Sequence, residues 1–166
     1  LLLDRIDYPS VDGDPISESF TYYDDAGGFH WLKSHTDPEG KVTTYNRNED
    51  TGFVTSMKDG ENKTWTYTPH GMIKSKVGTM TDPLGHLTLY DYDQYGYLKS
   101  IDPPDLAGPP VVETPATTFK NNIMGLQEWK KDARGNYTYY CYDGALRVTD
   151  VWVDKDATPF ADPCLR

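Results

Sequence analysis

A nine-residue phrase recurs along the chain and constrains the fold more than any other feature. The phrase opens with Asp, has Gly or Asn in fourth place and ends in Tyr, and its copies lie at 37–45, 59–67, 82–90 and 132–140. An Asp carboxylate that accepts backbone N–H groups, followed by a residue suited to positive φ, is typical of a type I turn with a bulge. The five residues after each turn are rich in Thr, Tyr, Val and Leu, so they predict an outgoing strand.

A second phrase, built around Gly after Tyr-Asp, lies between copies of the first. Tyr92-Asp93-Gln94-Tyr95-Gly96 is its clearest form, Tyr23-Asp24-Asp25-Ala26-Gly27 has the same frame, and Tyr142-Asp143-Gly144 is a shortened version. The loops at Gly52 and Gly71 occupy the same place in their repeats. Two turn types are therefore expected to alternate, with about 22 residues for each cycle of two strands and two turns.

The copies begin at positions 37, 59, 82 and 132, so one cycle is missing from the regular spacing. Ser100-Ile101-Asp102-Pro103 and Thr117-Thr118-Phe119 supply that cycle if its turn has been expanded by a Pro-rich insertion, 103–116. We therefore expect one domain over 1–166, with 103–116 as a loop insertion within it.

Repetition at a fixed period predicts hairpins that must stack to cover an apolar face. We expect an all-β fold, a continuous and curled antiparallel sheet of about ten to twelve short strands, in a chain long enough to bury a core. The aromatic residues in ninth place are expected to line up on one face: Tyr45, Tyr67, Tyr90, Phe119 and Tyr140.

Charge and composition exclude several classes of partner. The net charge of −10 and the pI near 4.7 oppose binding to nucleic acid or to anionic membranes. No stretch approaches the roughly 18 apolar residues of a membrane span, and no signal peptide is visible. Because the chain begins at Leu1, we expect a fragment or a processed form. Cys141 and Cys164 are equally consistent with one disulfide and with two free thiols.

The repeated phrases resemble the YD repeats of the RHS (rearrangement hotspot) family. The resemblance is carried by the Asp-x-x-Gly turn, the following Thr-x-Tyr and the Tyr-Asp-x-x-Gly phrase, and it extends from Ile6 to Val153. Departures from the family pattern are Asn62 in place of Gly, the truncated loops at Gly71 and Gly144, and a scarcity of Arg after the loop Gly.

The resemblance implies a spiralling β-sheet of the kind that forms shells in bacterial RHS proteins, insecticidal toxin complexes and teneurins. It implies a non-catalytic module, secreted or at the cell surface, that helps to enclose or display a partner polypeptide. Six cycles make only part of such a shell, so the implied partners are flanking repeats or another copy joined through sheet edges.

Parts of the sequence match three other kinds of site, for self-cleavage, for glycoside hydrolysis and for calcium binding. RHS proteins often end in a self-cleaving segment with an Asp-Pro-x-Gly-Leu phrase, and only partial matches occur, at 37–40, 82–85 and 162–165. A glycosidase would need paired carboxylates, for which the candidates are Asp24, Asp25, Glu49, Asp50, Asp91 and Asp93. Residues 91–96 echo half of a calcium loop but lack its terminal Glu. The repeat explains these residues as turns, except at 162–165, where the match lacks the Gly.

Histidine and cysteine give little indication of a catalytic or metal site. His30 and His35 flank Trp31, whereas His70 and His86 lie in different turns, without zinc-ligand spacing. Cys141 is expected to be a buried structural residue and not a nucleophile. No phosphate or dinucleotide fingerprint is present, so no cofactor is predicted.

Aromatic side chains support one binding hypothesis. Trp31, Trp65, Trp129 and Trp152 are candidate stacking surfaces for sugar rings, in a carbohydrate-binding or adhesion module. Trp31 and Trp129 each lie four residues past a loop Gly, which favours equivalent places and core packing instead. Asn62-Lys63-Thr64 and Asn136-Tyr137-Thr138 match the N-glycosylation pattern but lie in repeat turns.

Overall fold

A computed structural model describes residues 2–11, 13–23, 30–105, 114–155 and 164 of the chain. All regular elements in these residues are strands, and none of them forms a helix that would be able to cross a membrane. The strands are β1 Arg5–Val11, β2 Asp14–Tyr22, β3 Leu32–Thr36, β4 Val42–Arg47, β5 Val54–Lys58, β6 Thr64–Pro69, β7 Val77–Thr81, β8 Leu87–Tyr92, β9 Leu98–Asp102, β10 Thr117–Asn121, β11 Gln127–Lys131, β12 Tyr137–Tyr142 and β13 Val148–Asp154.

The strands lie in chain order within a thirteen-stranded sheet, from β1 to β13. Consecutive strands pair antiparallel, as where Ser34 of β3 faces Thr44 of β4 and Trp129 of β11 faces Tyr139 of β12. The prediction of an all-β fold made of repeated hairpins is confirmed. Of the Pro-rich insertion at 103–116, residues 106–113 lie outside the described residues.

The Asp of the repeated phrase forms the predicted turn. The N–H of Gly40 donates to the carbonyl of Asp37 at 2.9 Å, and Asp37 Oδ1 accepts the N–H groups of Glu39 and Lys41, both at 2.9 Å. Gly40 has a φ of +79°, in the left-handed region. The carboxylate therefore provides hydrogen-bond acceptors for two backbone N–H groups that do not pair with a neighbouring strand.

The prediction of two alternating turn types is wrong for the phrases at Tyr92 and Tyr142, which adopt the conformation of the first phrase. The loops at Gly52 and Gly71 do differ from it, since the N–H of Gly52 donates to Asn48 and that of His70 to Lys76. Asp93 Oδ1 accepts the N–H groups of Tyr95 and Tyr97 at 2.9 and 3.0 Å, as Asp37 does for its own turn. The shared turn opens at Asp37, Asp59, Asp82, Asp93, Asn122, Asp132 and Asp143. The turn at Asp143 is not shortened, since Leu146 takes the left-handed position with a φ of +63°.

A register shift recurs at the opposite end of the outgoing strands. It falls at Tyr22, Arg47, Tyr92, Asn121 and Tyr142, each the last residue of its strand. Tyr22 faces Leu32 as Tyr92 faces Leu98. Tyr22, and not Tyr23, is therefore the structural equivalent of Tyr92, so the two sequence phrases are offset by one residue.

The aromatic residues in ninth place share a face but are not in register. Tyr45 faces Met57, which faces Trp65, so Tyr67 lies two residues further along β6 on the same face. The same offset separates Phe119 from Tyr140. The expected aligned column is therefore wrong, because residues in register are twenty positions apart whereas the sequence repeats after about 22.

The chain divides into two compact units. The first comprises Leu1–Pro69 with Met80–Gly85, and the second comprises His70–Thr79 with His86–Arg166. Among the described residues the buried apolar side chains are Tyr139 and Cys141, both in the second unit, whereas sixteen large apolar side chains are exposed. The expected core is therefore wrong for these residues, since their large apolar side chains are mostly exposed or half-buried.

Candidate functional site

A side-chain hydrogen bond closes the open end of most hairpins. The last residue of an outgoing strand donates to a backbone carbonyl at the start of the preceding strand or, for Tyr22, two residues before it. The bonds run from Tyr22 to Leu3, Arg47 to Leu32, Tyr92 to Val77, Asn121 to Leu98 and Tyr142 to Gln127, at 2.6, 3.2, 3.0, 2.9 and 2.9 Å. Pro69 holds this place in β6 and has no donor. Sequence reasoning missed these bonds, although the Tyr of Tyr-Asp marked the position.

A residue just after one turn packs against the loop Gly of the next cycle. The ring of Trp31 lies where a Cβ on Gly52 would be, and a Cβ on Gly125 would lie 2.5 Å from Tyr97 Cε1. Trp31 is the structural equivalent of Tyr97. The carbonyl of Trp31 accepts the N–H of Tyr23 across its turn, and the carbonyl of Tyr97 accepts the N–H of Asp93 in the same way. The predicted equivalence of Trp31 and Trp129 is therefore wrong.

The four candidate tryptophans divide between the two units. Trp31 packs on Gly52 in the first unit, where Trp65 faces Met57. In the second unit Trp129 and Trp152 flank Tyr139 in one cross-strand row. The structure thus brings two of the four together, and Trp152 exposes 47% of its surface.

Tyr137 joins this row into an aromatic cluster. Its ring stands edge-on to Trp129 at 5.3 Å between centroids and stacks on Tyr139 at 5.8 Å. The ammonium group of Lys131 lies 5.5 Å from the centroid of Tyr137. Such contacts hold the rings rigidly, so Trp152 is the member with most surface left for a ligand.

The acidic candidates in the described residues have structural partners or lie in exposed turns. Asp91 binds Lys99 Nζ at 2.8 Å and His70 Nε2 at 3.3 Å, and the hydrogen bond from Lys99 holds the pKa of Asp91 below its usual range. Asp93 holds its turn, while Glu49 and Asp50 are exposed in a loop. Asp24 and Asp25 lie outside the described residues.

Two histidines contact carboxylates in separate places. His70 Nδ1 accepts the N–H of Ile73 at 3.3 Å, so Nε2 carries the proton that is shared with Asp91. His35 Nε2 lies 3.2 Å from Glu18, which also accepts the hydroxyl of Tyr8 at 3.0 Å and raises the pKa of that phenol. No group of three or more metal-ligating side chains occurs in the described part of the chain.

Cys141 and Cys164 form a disulfide, with their Cα atoms 5.5 Å apart. The sulfur of Cys141 lies on the strand face that carries Tyr139. Two of the three partial matches to the self-cleavage phrase, at Asp37 and Asp82, are ordinary repeat turns. The third, at Asp162, lies outside the described residues.

Strand β13 forms one edge of the sheet. Every side chain from Val148 to Val153 is exposed, with exposed fractions of 54% for Val151 and 62% for Val153. The opposite edge, β1, carries Pro9 and the ion pair of Arg5 with Asp7. Proline and charge are devices that protect an edge from further pairing. Strand β13 lacks proline but carries Asp150 and Asp154.

Comparisons with known proteins bear on this architecture. No protein-family model matches the sequence, and no curated protein matches it either. A crystal structure of TcdB2-TccC3 matches 91% of this chain with a TM-score of 0.53 and 14% identity, and the TcdB2-TccC3-Cdc42 complex matches 88% at 0.53 and 13%. A Photorhabdus luminescens Tc holotoxin pore matches 85% at 0.52 and 12%.

The likeness shows a shared fold. At 12–14% identity the likeness supports the hairpin-sheet fold and says nothing about activity. The chain spans only 9%, 9% and 10% of the length of the matched chains in the Cdc42 complex, the holotoxin pore and the TcdB2-TccC3 complex.

Proposed function

We propose that this chain is a non-catalytic structural module of the YD-repeat type, one strip of an RHS-like β-shell. The observation that carries the proposal is a hairpin sheet, of a fold shared with TcdB2-TccC3, in whose described residues two apolar side chains are buried. The sixteen large apolar side chains that are exposed among those residues favour a covering neighbour. A larger shell would supply that neighbour on one face.

The proposed role is to help enclose or display a partner polypeptide, with flanking repeats completing the wall. The matched structures are complexes of TcdB2 with TccC3, and one also contains Cdc42, which supports a role in a multi-chain assembly. The structural use of Asp91 and Asp93 supports a scaffold over a glycosidase. On this view 1–166 is one repeat domain and 103–116 a loop that interrupts it.

We also propose that the chain acts outside the cell, secreted or at a cell surface. The disulfide between Cys141 and Cys164 supports this location, because disulfides persist mainly in oxidising compartments. The Tc holotoxin among the matched structures makes a toxin-related protein the favoured context.

Limited proteolysis of the longest natural polypeptide that contains this sequence tests the proposal. We expect an enclosed segment to resist cleavage in native buffer and to be cut once denaturant opens the sheet, as followed by mass spectrometry. Uniform cleavage of every segment outside this sheet, before any denaturant is added, would contradict a shell.

A second candidate, a carbohydrate-binding or adhesion module, is favoured by the exposed indole of Trp152 beside Trp129 and Tyr139. Glycan-array binding tests it, with Trp152→Ala expected to lose the signal. Trp31→Ala is the matched control, since that ring packs on Gly52 and has another role. Absence of binding to any glycan, or equal loss in both variants, would reject this candidate.

A further inference from the structure

The loop 70–76, between β6 and β7, makes one of the contacts that join successive hairpins. A Cβ on Gly96 would lie 3.7 Å from Ile73 Cδ1, so the side chain of Ile73 packs beside that glycine. Tyr97 packs on Gly125 in the same way, and more closely. The two contacts follow each other along the chain, because Tyr97 comes directly after Gly96.

A side-chain acceptor holds the backbone N–H of each packing residue. The N–H of Tyr97 donates to Asp93 Oδ1 at 3.0 Å, whereas the N–H of Ile73 donates to His70 Nδ1 at 3.3 Å. A ring nitrogen of histidine accepts a hydrogen bond only while it carries no proton. The bond at Ile73 therefore requires a neutral imidazole, whereas the bond at Tyr97 requires a carboxylate.

The side chain of His70 is only 12% exposed, and its neighbours keep their charge between about pH 7.5 and 5. Nε2 lies 3.3 Å from Asp91 Oδ1, and the hydrogen bond from Lys99 holds the pKa of Asp91 below its usual range. Burial raises the pKa of Tyr92, whose ring stands edge-on to that of His70 at 5.3 Å between centroids. The ammonium group of Lys76 lies 6.0 Å from the centroid of Tyr92. Among these five side chains, histidine alone is of a type that gains a proton in this range.

Protonation of the imidazole removes the acceptor for Ile73. The second proton binds Nδ1, because Nε2 already carries one, and it places one donor against another. The positive ring is attracted to the carboxylate of Asp91. This attraction offsets the lost bond, so the whole fold keeps its stability and only the backbone near Ile73 has to move.

The loop has room for such a movement. Two backbone bonds close it independently of the ring, from His70 N–H to the carbonyl of Lys76 at 2.8 Å and from Lys76 N–H to that of Ile73 at 2.9 Å. A Cβ on Gly71 would have no described atom within 4 Å, and Met72 is 80% exposed. The segment 71–73 is therefore free to turn outward from the adjacent turn.

We propose that His70 is a pH-sensitive switch that controls the contact between Ile73 and Gly96. At neutral pH its ring holds the N–H of Ile73, and with it the side chain, against the turn at 93–97. On acidification toward pH 5 that bond breaks, Ile73 leaves Gly96, and Met72 and Ile73 together form an apolar tip on the loop. The inference goes beyond the proposed function and does not rest on it.

The test uses the full chain with its disulfide intact and follows amide exchange by NMR from pH 7.5 to 5. Each exchange rate is divided by that of an unstructured peptide at the same pH, which gives a protection factor free of the pH dependence of the exchange chemistry. Nitrogen chemical shifts of the His70 ring report its protonation. The amide of Tyr97 is the internal control, because a carboxylate such as Asp93 stays charged over this range.

We expect the protection factor of Ile73 to fall about fivefold as the ring gains its proton, as the loss of one hydrogen bond of about 1 kcal/mol predicts. That of Tyr97 should stay level. In His70→Asn the side-chain oxygen replaces Nδ1 as acceptor and does not titrate, so the protection of Ile73 should no longer depend on pH. His35→Gln, which removes the other histidine that contacts a carboxylate, should leave the fall unchanged.

Three results would overturn the inference: a His70 ring that stays neutral down to pH 5, protection of Ile73 that stays level while the ring titrates, and an equal fall at Ile73 and Tyr97. A fall at Ile73 that persists in His70→Asn would overturn it as well. If that variant does not fold, the comparison of Ile73 with Tyr97 in the unsubstituted chain decides.

Discussion

At the scale of the residue, loop glycines serve two separate purposes. Gly135 has a φ of +89°, and the nearest atom to a Cβ there is Lys131 Cε at 3.9 Å. Gly125 has a similar φ of +82° but also lies against the ring of Tyr97. The first position needs glycine for its backbone alone, whereas the second needs it for the backbone and for the close approach of an aromatic ring.

Alanine substitutions at these two glycines distinguish the cost of the backbone conformation from the cost of the ring contact. Gly135→Ala should lower the free energy of unfolding by about 1–2 kcal/mol, the cost of a left-handed alanine. Gly125→Ala should cost about 1–3 kcal/mol more, because the new methyl group must displace Tyr97. Urea denaturation followed by tryptophan fluorescence measures both, and equal losses would show that the Tyr97 contact contributes nothing.

The hydroxyl of Tyr92 supports a further residue-scale prediction. Tyr92→Phe removes the hydrogen bond to the carbonyl of Val77 and should cost about 1 kcal/mol. Tyr95→Phe is the control, since its ring is 56% exposed and its hydroxyl makes no hydrogen bond among the described residues. Thermal unfolding should show a clear drop in Tm for the first variant only. An equal drop in Tm for both variants would show that the hydrogen bond from Tyr92 to Val77 does not stabilise the fold.

At the scale of the element, the turn is the unit that the sequence predicts best. Its Asp, its Gly or Asn and the Thr-rich strand after it act locally, so neighbouring residues alone determine them. The identity of the two turn phrases follows from spacing at Asp93 and Gly96, which repeat the spacing of the first phrase. It was not predictable at Asp143, because Leu146 adopts a left-handed φ without being Gly or Asn. The bonds from Tyr92 and Tyr142 were missed because their acceptors lie fifteen residues away.

The turns also predict how stability depends on pH. The side chain of Asn136 lowers the pKa of Asp132, and the backbone N–H of Arg147 lowers that of Asp143. Each carboxylate therefore stabilises the fold above its unfolded pKa, about 3.9, and that contribution is lost as the pH falls through the lower folded pKa. We expect the urea midpoint to stay level from about pH 7 to 5 and to fall below about pH 4.

A neutral version of the same turn provides the control. Asn122 already opens a turn with the same two bonds from backbone N–H groups, at 2.9 and 3.0 Å. The Asp132→Asn, Asp143→Asn double variant keeps the oxygen that accepts the backbone N–H groups and removes two titrating groups. It also replaces the oxygen that accepts Asn136 Nδ2 or Arg147 Nε by an amide NH2, so its midpoint at pH 7 is the reference for its own pH series. Its urea midpoint should fall less between pH 5 and 2.5, and an undiminished fall would assign the acid sensitivity to other groups.

At the scale of the whole molecule, the sequence period predicts the hairpin sheet but not how the sheet is covered. Composition gave no sign that Tyr139 and Cys141 would be the only buried apolar side chains among the described residues. The burial of a side chain depends on what lies against its face of the sheet. The sequence repeat, such as that of Tyr45 and Tyr67, does not differ between a covered and an uncovered sheet, so it does not predict burial. The disulfide was likewise undecided, because two cysteines do not specify their own pairing.

An electron cryomicroscopy structure of the longest natural polypeptide containing this sequence tests the central claim most directly. The claim is that hairpins in chain order form one strip of a larger wall. It predicts that β13 is paired with a further strand of the wall and that Trp152 and Val151 are covered. A map in which this sheet stands alone, with β13 unpaired and these side chains in solvent, would contradict the account.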